Sequence, residues 1–428
     1  MLYQQVQNLL RDWPKYKKLI SKFEFIKNRG KYNDKNRPPM GWNSWNTFGA
    51  DINEKLIMET ADTMAESGLL DAGYNYLVID DIWSCRERDK NGRLVVDPQK
   101  FPNGMKYIAD YVHSKGLKFG MYSDCGYTTC AGYPGSYGHE WTDACTFAEW
   151  GVDFLKYDIC CQTKNENADI LYKRMSLALA NCGRDILFST CSAGYDDTLM
   201  WVRETGANMW RSDGDIFDNW NSIKEISQRQ LKLTEYNWQG CFNDMDMLVV
   251  GMNGKGNVGL GGCTFEEYKL HFSLWALLNS PLFIGCDIRN MTEETKRILL
   301  NKDVIAVNQD SAVRKPFFVN RMDWEPNNER KHNEPFYKSY PLDTPIILKF
   351  LRNGDIAIGI FNFTDEDVPP SGACVLPDMF GLPISTGKTL ELTDLWTGEK
   401  SGPYNGLLSY KGCKAHSCLL YRARVVDA

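Results

Sequence analysis

The chain has 428 residues, of which 43% are hydrophobic and 24% charged, and its formal net charge is −6. That composition can bury a large core and excludes a disordered polymer. The absence of a Lys/Arg-rich run argues against nucleic acid as a partner, and no apolar run reaches the roughly 20 residues of a membrane-spanning helix.

The chain is too long for one ordinary domain, and its texture divides into three parts. Residues 1–37 read as an N-terminal helical extension, with Leu9, Leu10, Trp13 and Tyr16 at helical spacing and a basic stretch from Lys15 to Lys22. The first residues lack the basic-then-apolar pattern of an export signal, so the expectation is a cytoplasmic protein.

From residue 38 to 310, β-rich runs alternate with segments of helical period. The predicted strands are Met40–Trp45, Tyr74–Asp81, Lys118–Cys125, Asp153–Cys160, Asp185–Ser192, Asn208–Asp215, Cys241–Val249 and Pro281–Asp287. Predicted helices between them include Glu54–Ser67, Met105–Lys115, Ala168–Asn181, Trp220–Leu233 and Phe265–Leu278, with Glu293–Gln309 after the last strand. Eight strands each followed by a helix is the pattern of a (β/α)8 TIM barrel, with a doubly wound open sheet as the alternative. No GxGxxG or GKS/GKT loop follows any strand, which removes the usual nucleotide-binding signs.

From 311 to 428 helical periodicity fades. Short runs at Ile346–Leu351, Ile356–Phe363, Leu390–Leu395 and Ser417–Arg422, separated by Gly and Pro, predict a small antiparallel β-sandwich domain. The polar segment Asp323–Tyr337 reads as a surface loop.

A barrel presents the C-terminal ends of its strands to the active-site face. Six predicted strands carry carboxylates there: Asp80-Asp81, Asp124, Asp158, Asp213 and Asp215, Asp244 and Asp246, and Asp287. Any single Asp at such a place can be a helix N-cap. Six such ends, together with Lys156, Arg211, Trp45 and Trp83, fit a sugar pocket better. There carboxylates accept from hydroxyls, aromatic faces cover C–H faces, and two acids divide the chemistry. The five histidines all lie away from strand ends, leaving little material for a His-bound metal or a Ser-His-Asp triad. The acids can in principle hold Mg²⁺ or Ca²⁺, but Lys156 and Arg211 compete for them, so no cofactor and no metal is expected.

Several tracts resemble one family in order along the chain. They are Pro39-Met40-Gly41-Trp42-Asn43-Ser44-Trp45, Tyr76-Leu77-Val78-Ile79-Asp80-Asp81-Ile82-Trp83, Cys130-Ala131-Gly132-Tyr133-Pro134-Gly135-Ser136, Trp150–Asp158, Asn243-Asp244-Met245-Asp246-Met247, and Ile284–Met291. The family is glycoside hydrolase family 27, the α-galactosidases and α-N-acetylgalactosaminidases. The resemblance implies a retaining double displacement with Asp158 as nucleophile and Asp215 as acid/base. It assigns Asp80 and Asp81 to the sugar's 4- and 6-hydroxyls, Lys156 to the 3- and 4-hydroxyls, and Arg211 to the carbon-2 substituent. Trp45 and Tyr122 become pocket walls, with Asp246 and Met247 on the far side. Asp158 is expected to be ionised beside Lys156, and the pKa of Asp215 to be raised by the charge of Asp158.

At carbon 2 the pattern departs. Ser192 stands where the α-galactosidases typically have Glu, as in the N-acetylgalactosaminidases, yet Tyr195 is bulky where those enzymes carry Ala. The leading expectation is an exo-acting α-galactosidase working on galactose-terminated oligosaccharides or glycoconjugates. An α-N-acetylgalactosaminidase, or a non-catalytic sugar-binding protein, is the alternative. A homo-oligomer is compatible with the sequence. The resemblance also matches Cys130 and Cys160 to a disulfide of secreted family members, although Ile82 and Ala207 replace partners of other pairs, which fits a reducing compartment and free thiols.

Overall fold

The computed structural model describes residues 36–161, 166–194, 197–318, 324–326, 337–339, 343–374, 384–404 and 407–428. The predicted N-terminal helix and Tyr195 lie outside these residues.

All eight predicted barrel strands form, each shorter than predicted: β1 Met40–Asn43, β2 Tyr76–Val78, β3 Lys118–Asp124, β4 Phe154–Asp158, β5 Leu187–Thr190, β6 Met209–Arg211, β7 Phe242–Asp244 and β8 Leu282–Ile284. They pair in parallel in the order β8-β1-β2-β3-β4-β5-β6-β7, and a parallel bridge from Leu248, beyond β7, to Ile284 closes the circle. The polar residues that ended the predicted strands leave the ladder and turn into the loops above it.

Side-chain alternation sorts each strand into an inward and an outward row. Tyr76, Val78, Phe154, Leu187, Met209, Phe242 and Phe283 fill the barrel interior as one cluster, while Leu77, Leu155, Tyr157, Phe188 and Trp210 join the layer beneath the helices. Gly41 is needed at the tight β1–β2 approach, since a Cβ there would lie 2.3 Å from the Tyr76 carbonyl oxygen. The helices are capped as their sequences suggest. Asn53 accepts from the Leu56 amide before Glu54–Glu66, and Thr264 with Glu267 forms a capping box before Phe265–Leu277. The predicted helix Glu293–Gln309 is two helices, Glu293–Leu299 and Lys302–Asn308, because Asn301 caps the second by accepting from Asp303 and Val304. Among the described residues between β5 and β6, a turn of α-helix, Thr198–Trp201, and a 3₁₀ turn, Val202–Thr205, stand in for a full helix.

The C-terminal part is a six-stranded sheet: β9 Phe317–Phe318, β10 Ile346–Phe350, β11 Ile356–Asn362, β12 Lys388–Asp394, β13 Lys400–Tyr404 and β14 Ser417–Asp427, in the order β9-β10-β11-β14-β12-β13. A two-stranded ladder, Ser371–Cys374 with Leu407–Tyr410, lies apart, and its Leu408 joins Ile346, Leu348, Ile358 and Leu390 in a second core. The segment read as a loop contains another ladder, Trp324–Pro326 with Tyr337–Ser339; its short strands carry no clear alternation to announce them.

The opposite face of the sheet, with Ile347, Ala357, Phe361 and Leu420, merges with the barrel's outer layer. Lys349 lies on this face, fully buried, and its ammonium donates to the Val307 carbonyl at 2.6 Å and to Asn279 Oδ1. Burial pushes its pKa down to about 7. Below that pH both folded and unfolded states carry the proton, and the fold bears the full desolvation cost. As pH rises toward the unfolded value the cost disappears, so this residue makes the protein more stable with rising pH. Lys349→Met should therefore lose ground against wild type by roughly 3–5 kcal/mol between neutral and strongly alkaline pH, measured by denaturant unfolding across that range. A flat difference would show that Lys349 keeps its charge in the fold as readily as in the unfolded chain.

Candidate active site

Inward alternation places the polar strand ends on one face. Asn43 follows Gly41, Asp80 follows Val78, Tyr122 and Asp124 follow Gly120, and Lys156 and Asp158 follow Phe154. On the other side Arg211 follows Met209, and Asp244 follows Phe242. Each repeats the parity of an interior residue below it.

These side chains form two linked networks. In the first, Asp80 Oδ2 accepts from Asn43 Nδ2 at 2.7 Å and from Lys156 Nζ at 2.8 Å. Burial works against the Lys156 charge, but Asp80, with Asp158 nearby, more than offsets it and raises its pKa. Asp158 Oδ2 accepts from the Tyr122 hydroxyl at 2.9 Å, and its Oδ1 from the Ile159 amide at 2.9 Å. Burial, and then Asp158, push the Tyr122 phenol well up, so it stays a donor. Asp81 is almost fully buried, and burial raises its pKa. Its Oδ1 accepts from Ile82 at 2.6 Å, while its Oδ2 lacks a hydrogen bond of good geometry, with Thr129 and the Ala131 amide near it. Ile82 has φ +67°, an uncommon conformation for a β-branched residue, so local strain holds this corner of the site.

In the second network, Arg211 Nη2 donates to Asp215 Oδ1 at 2.9 Å and lies 3.3 Å from Asp246 Oδ2. Asp246, at φ +71°, also accepts from the amides of Ile216 and Met247, each at 2.8 Å, so one carboxylate fixes both neighbours of the pocket's far side. Met247 packs with the barrel interior, and half-buried Trp45 packs on that same cluster. The Asn43 side chain accepts from the Trp45 amide at 2.8 Å, which sets the indole at the end of β1.

The pKa of Asp215 differs from the sequence-based expectation. Although its side chain is 72% accessible, it stands among protein groups whose desolvation works upward. The charge and hydrogen bond of Arg211 outweigh this and lower its pKa. Its nearest charge is a cation rather than Asp158, which reverses the sign. In the unliganded protein Asp215 therefore holds a proton only at low pH, and the acid/base role that the resemblance implies for it predicts an alkaline limb of kcat/KM in the acid range. Arg211→Met should move that limb to higher pH, because it removes the charge and hydrogen bond that lower the Asp215 pKa, while lowering the rate at the optimum. An unmoved limb would show that another group sets it.

Ser192 is fully buried, and its Oγ has no hydrogen-bond partner among the described residues. Alternation explains its position: Leu187 points inward, so Cys191 does too and Ser192 turns outward. Cys191 Sγ lies 3.8 Å from Arg211 Nη1 and is the strand-five residue that reaches the other predicted groups. Sequence reading gave Cys191 no role, and named two supporting acids at strand ends without assigning them one. Asp124 accepts from the Cys160 and Gly126 amides, and burial raises its pKa to about 7. Asp244 accepts from the Asp246 amide, and burial raises its pKa to about 6. Their strand-end positions were visible; which amides they hold was not. The carboxylates of Asp213 and Asp287 are engaged away from these networks, Asp213 by Arg229 Nε at 2.9 Å and Asp287 by Arg289 Nε at 2.9 Å, although the Asp213 carbonyl accepts from Arg211 Nη2 at 3.2 Å. Cys130 and Cys160 form a disulfide.

A parallel barrel whose strand ends converge two hydrogen-bonded carboxylate networks, a buried lysine and aromatic walls defines a glycoside hydrolase. Residues 37–310 match the family described as alpha galactosidase A, and the chain belongs to that family. It is 41% identical over 389 residues to an alpha-galactosidase of Cyamopsis tetragonoloba, covering 90% of this chain and 85% of that one. It is 51% identical over 274 residues to alpha-galactosidase 2 of Arabidopsis thaliana, covering 64% of this chain and 67% of the other. Among solved structures, alpha-galactosidase I from Mortierella vinacea superposes with a TM-score of 0.81 at 33% identity, covering 94% of this chain and 99% of that one. A Saccharomyces cerevisiae alpha-galactosidase with raffinose gives 0.79 at 31% identity, covering 92% and 99%.

Proposed function

We propose that this protein removes terminal α-linked galactose from oligosaccharides or glycoconjugates by a retaining double displacement. The observation that carries the reading is the pairing at the pocket floor. Asp158 is held by Tyr122 and its own Ile159 amide, while Lys156 bridges from the neighbouring position to Asp80.

Asp158 attacks the anomeric carbon while Asp215 protonates the leaving oxygen. The C–O bond to the aglycone breaks and a galactosyl ester of Asp158 forms. Asp215, now a carboxylate, then takes a proton from water, which attacks the same carbon and releases Asp158. A carbon-2 hydroxyl accepting from Arg211 draws the guanidinium away from Asp215 and lets its pKa rise as substrate binds, which couples occupancy to acid strength. Asp80 and Lys156 together recognise an axial 4-hydroxyl, and a gluco-configured sugar leaves them unpaired at about 1–3 kcal/mol per group.

The test follows the first-formed anomer by NMR on an aryl α-galactoside, beside the matched α-N-acetylgalactosaminide. The expected result is α-galactose first and a higher kcat/KM on the galactoside. A β-anomer first, or preference for the acetamido sugar, overturns the reading. We also place the protein in the cytoplasm, on the support of eleven unbonded cysteines among the described residues, the Cys130–Cys160 bond being the exception. Cell fractionation that finds it outside overturns that placement.

A further inference from the structure

The Cys130–Cys160 disulfide is built into the wall beside the nucleophile. One sulfur from each cysteine and one Asp158 carboxylate oxygen all lie within 4.8 Å of one another. The segment leaving β4 is laced to the loop leaving β3 at several points besides this bond. The Cys125 amide donates to the Asp158 carbonyl at 2.9 Å, the Cys160 amide to Asp124 Oδ2 at 2.9 Å, and the Tyr127 amide to the Cys161 carbonyl at 3.3 Å. The disulfide is thus one of the ties that fix where the nucleophile's strand ends.

Directly after Cys160 stands a third cysteine. Cys161 is unbonded, and among the described free cysteines it alone is exposed to solvent. Its Sγ lies 3.9 Å from the carbonyl oxygen of Thr129, the residue preceding Cys130. The chain therefore presents an accessible thiol next in sequence to one half of the disulfide and against the backbone beside the other half. Thiol–disulfide exchange requires an accessible attacking sulfur near the bond, and Cys161 offers an exposed thiol seated against the residue that precedes Cys130.

We propose that Cys130, Cys160 and Cys161 form a thiol–disulfide exchange site that governs hydrolysis at Asp158. The inference about rate rests on the function proposed above. In the exchange, Cys161 gives up its proton to solvent, and its thiolate attacks Cys130 Sγ. The Cys130–Cys161 bond forms as the Cys130–Cys160 bond breaks, and the departing Cys160 thiolate takes up a proton. One thiol and one disulfide bond stand on each side of the step, so no oxidant or reductant is consumed. Cys130 is the sulfur attacked, because a bond between the adjacent Cys160 and Cys161 would close a ring across a single planar peptide unit. After exchange the tie moves one residue along the chain, Cys160 stands free beside the nucleophile, and the strand end that aims Asp158 is re-registered. Hydrolysis falls as a result.

The experiment incubates the full chain at mildly alkaline pH with a trace of reduced glutathione, blocks thiols with iodoacetamide, and maps the non-reduced digest by mass spectrometry. Initial rates on an aryl α-galactoside are read in parallel, for wild type and Cys161→Ser. The expected result is a growing Cys130–Cys161 peptide with Cys160 alkylated in the wild type, and a rate that falls in proportion to the exchanged fraction. Cys161→Ser should keep both the Cys130–Cys160 bond and its rate. Finding only Cys130–Cys160 in the wild type after prolonged incubation overturns the proposal. So does exchange that leaves the rate unchanged, or a Cys161→Ser rate that decays like the wild type's. The disulfide map is read without any substrate, so a failure of the galactosidase reading stays distinguishable from a failure of exchange.

Discussion

Asp158→Ala should lower kcat on an aryl α-galactoside by about 10⁵-fold, while the folded protein and its thermal midpoint should change little. The magnitude follows from the nucleophile's role proposed for Asp158, since removing a nucleophile costs factors of this order in well-studied enzymes. Stability is spared because Asp158 makes only two hydrogen bonds, from Tyr122 and from its own following amide, and stands at the end of β4 rather than in the apolar core. Single-turnover measurements with a fluorogenic galactoside, beside a denaturation curve, check both halves. A loss below about tenfold would remove Asp158 from the nucleophile's role.

Asp215→Ala should split substrates by leaving group. With a nitrophenolate-like aglycone, which leaves without a proton, the first step needs little help. With a sugar aglycone the same variant should lose about 10²–10⁴-fold, the usual value of general acid catalysis. The structure adds a second consequence. Asp215 is a partner of the Arg211 guanidinium, which it shares with Asp246. Its removal leaves Arg211 facing Asp246 alone, so the variant should bind galactose with an affinity altered by no more than about tenfold while turnover collapses. Measuring product inhibition and kcat/KM, which reports the first step alone, on a raffinose-like trisaccharide and on an aryl galactoside tests this. Equal losses on both substrates would show that Asp215 acts by position and not by proton transfer.

Much of the fold was legible because its determinants are local. Eight β-rich runs separated by helical periods give a parallel barrel almost unaided, since each strand must bury both faces and each helix one. Strand ends were overestimated because a run such as Asn208–Asp215 stays β-compatible in composition after its ladder partners stop, and pairing is a property of the neighbouring strand. The short ladders of the C-terminal region escaped notice because two to five residues carry too little alternation to distinguish them from turns.

At the site, residue identity was legible and residue direction only in part. Ser192 drew attention because it departs from a familiar tract. One-residue parity turns it outward and Cys191 inward, and that follows from Leu187 lying in the barrel interior. The charge state of Asp215 was misjudged for a related reason: sequence places Asp158 and Arg211 both near it, and only the 2.9 Å contact decides which charge it feels.

The sequence by itself determined the barrel, the chemistry of its rim and the family, because strand parity and ordered strand-end tracts are written in linear spacing. Tertiary structure alone decided which carboxylate meets which cation, which amides Asp124 and Asp244 hold, and that Cys161 lies against the neighbour of Cys130. The reason is physical. Hydrogen bonds and Coulomb interactions at a few ångströms depend on distances between strands far apart in the chain, and linear spacing carries no record of them.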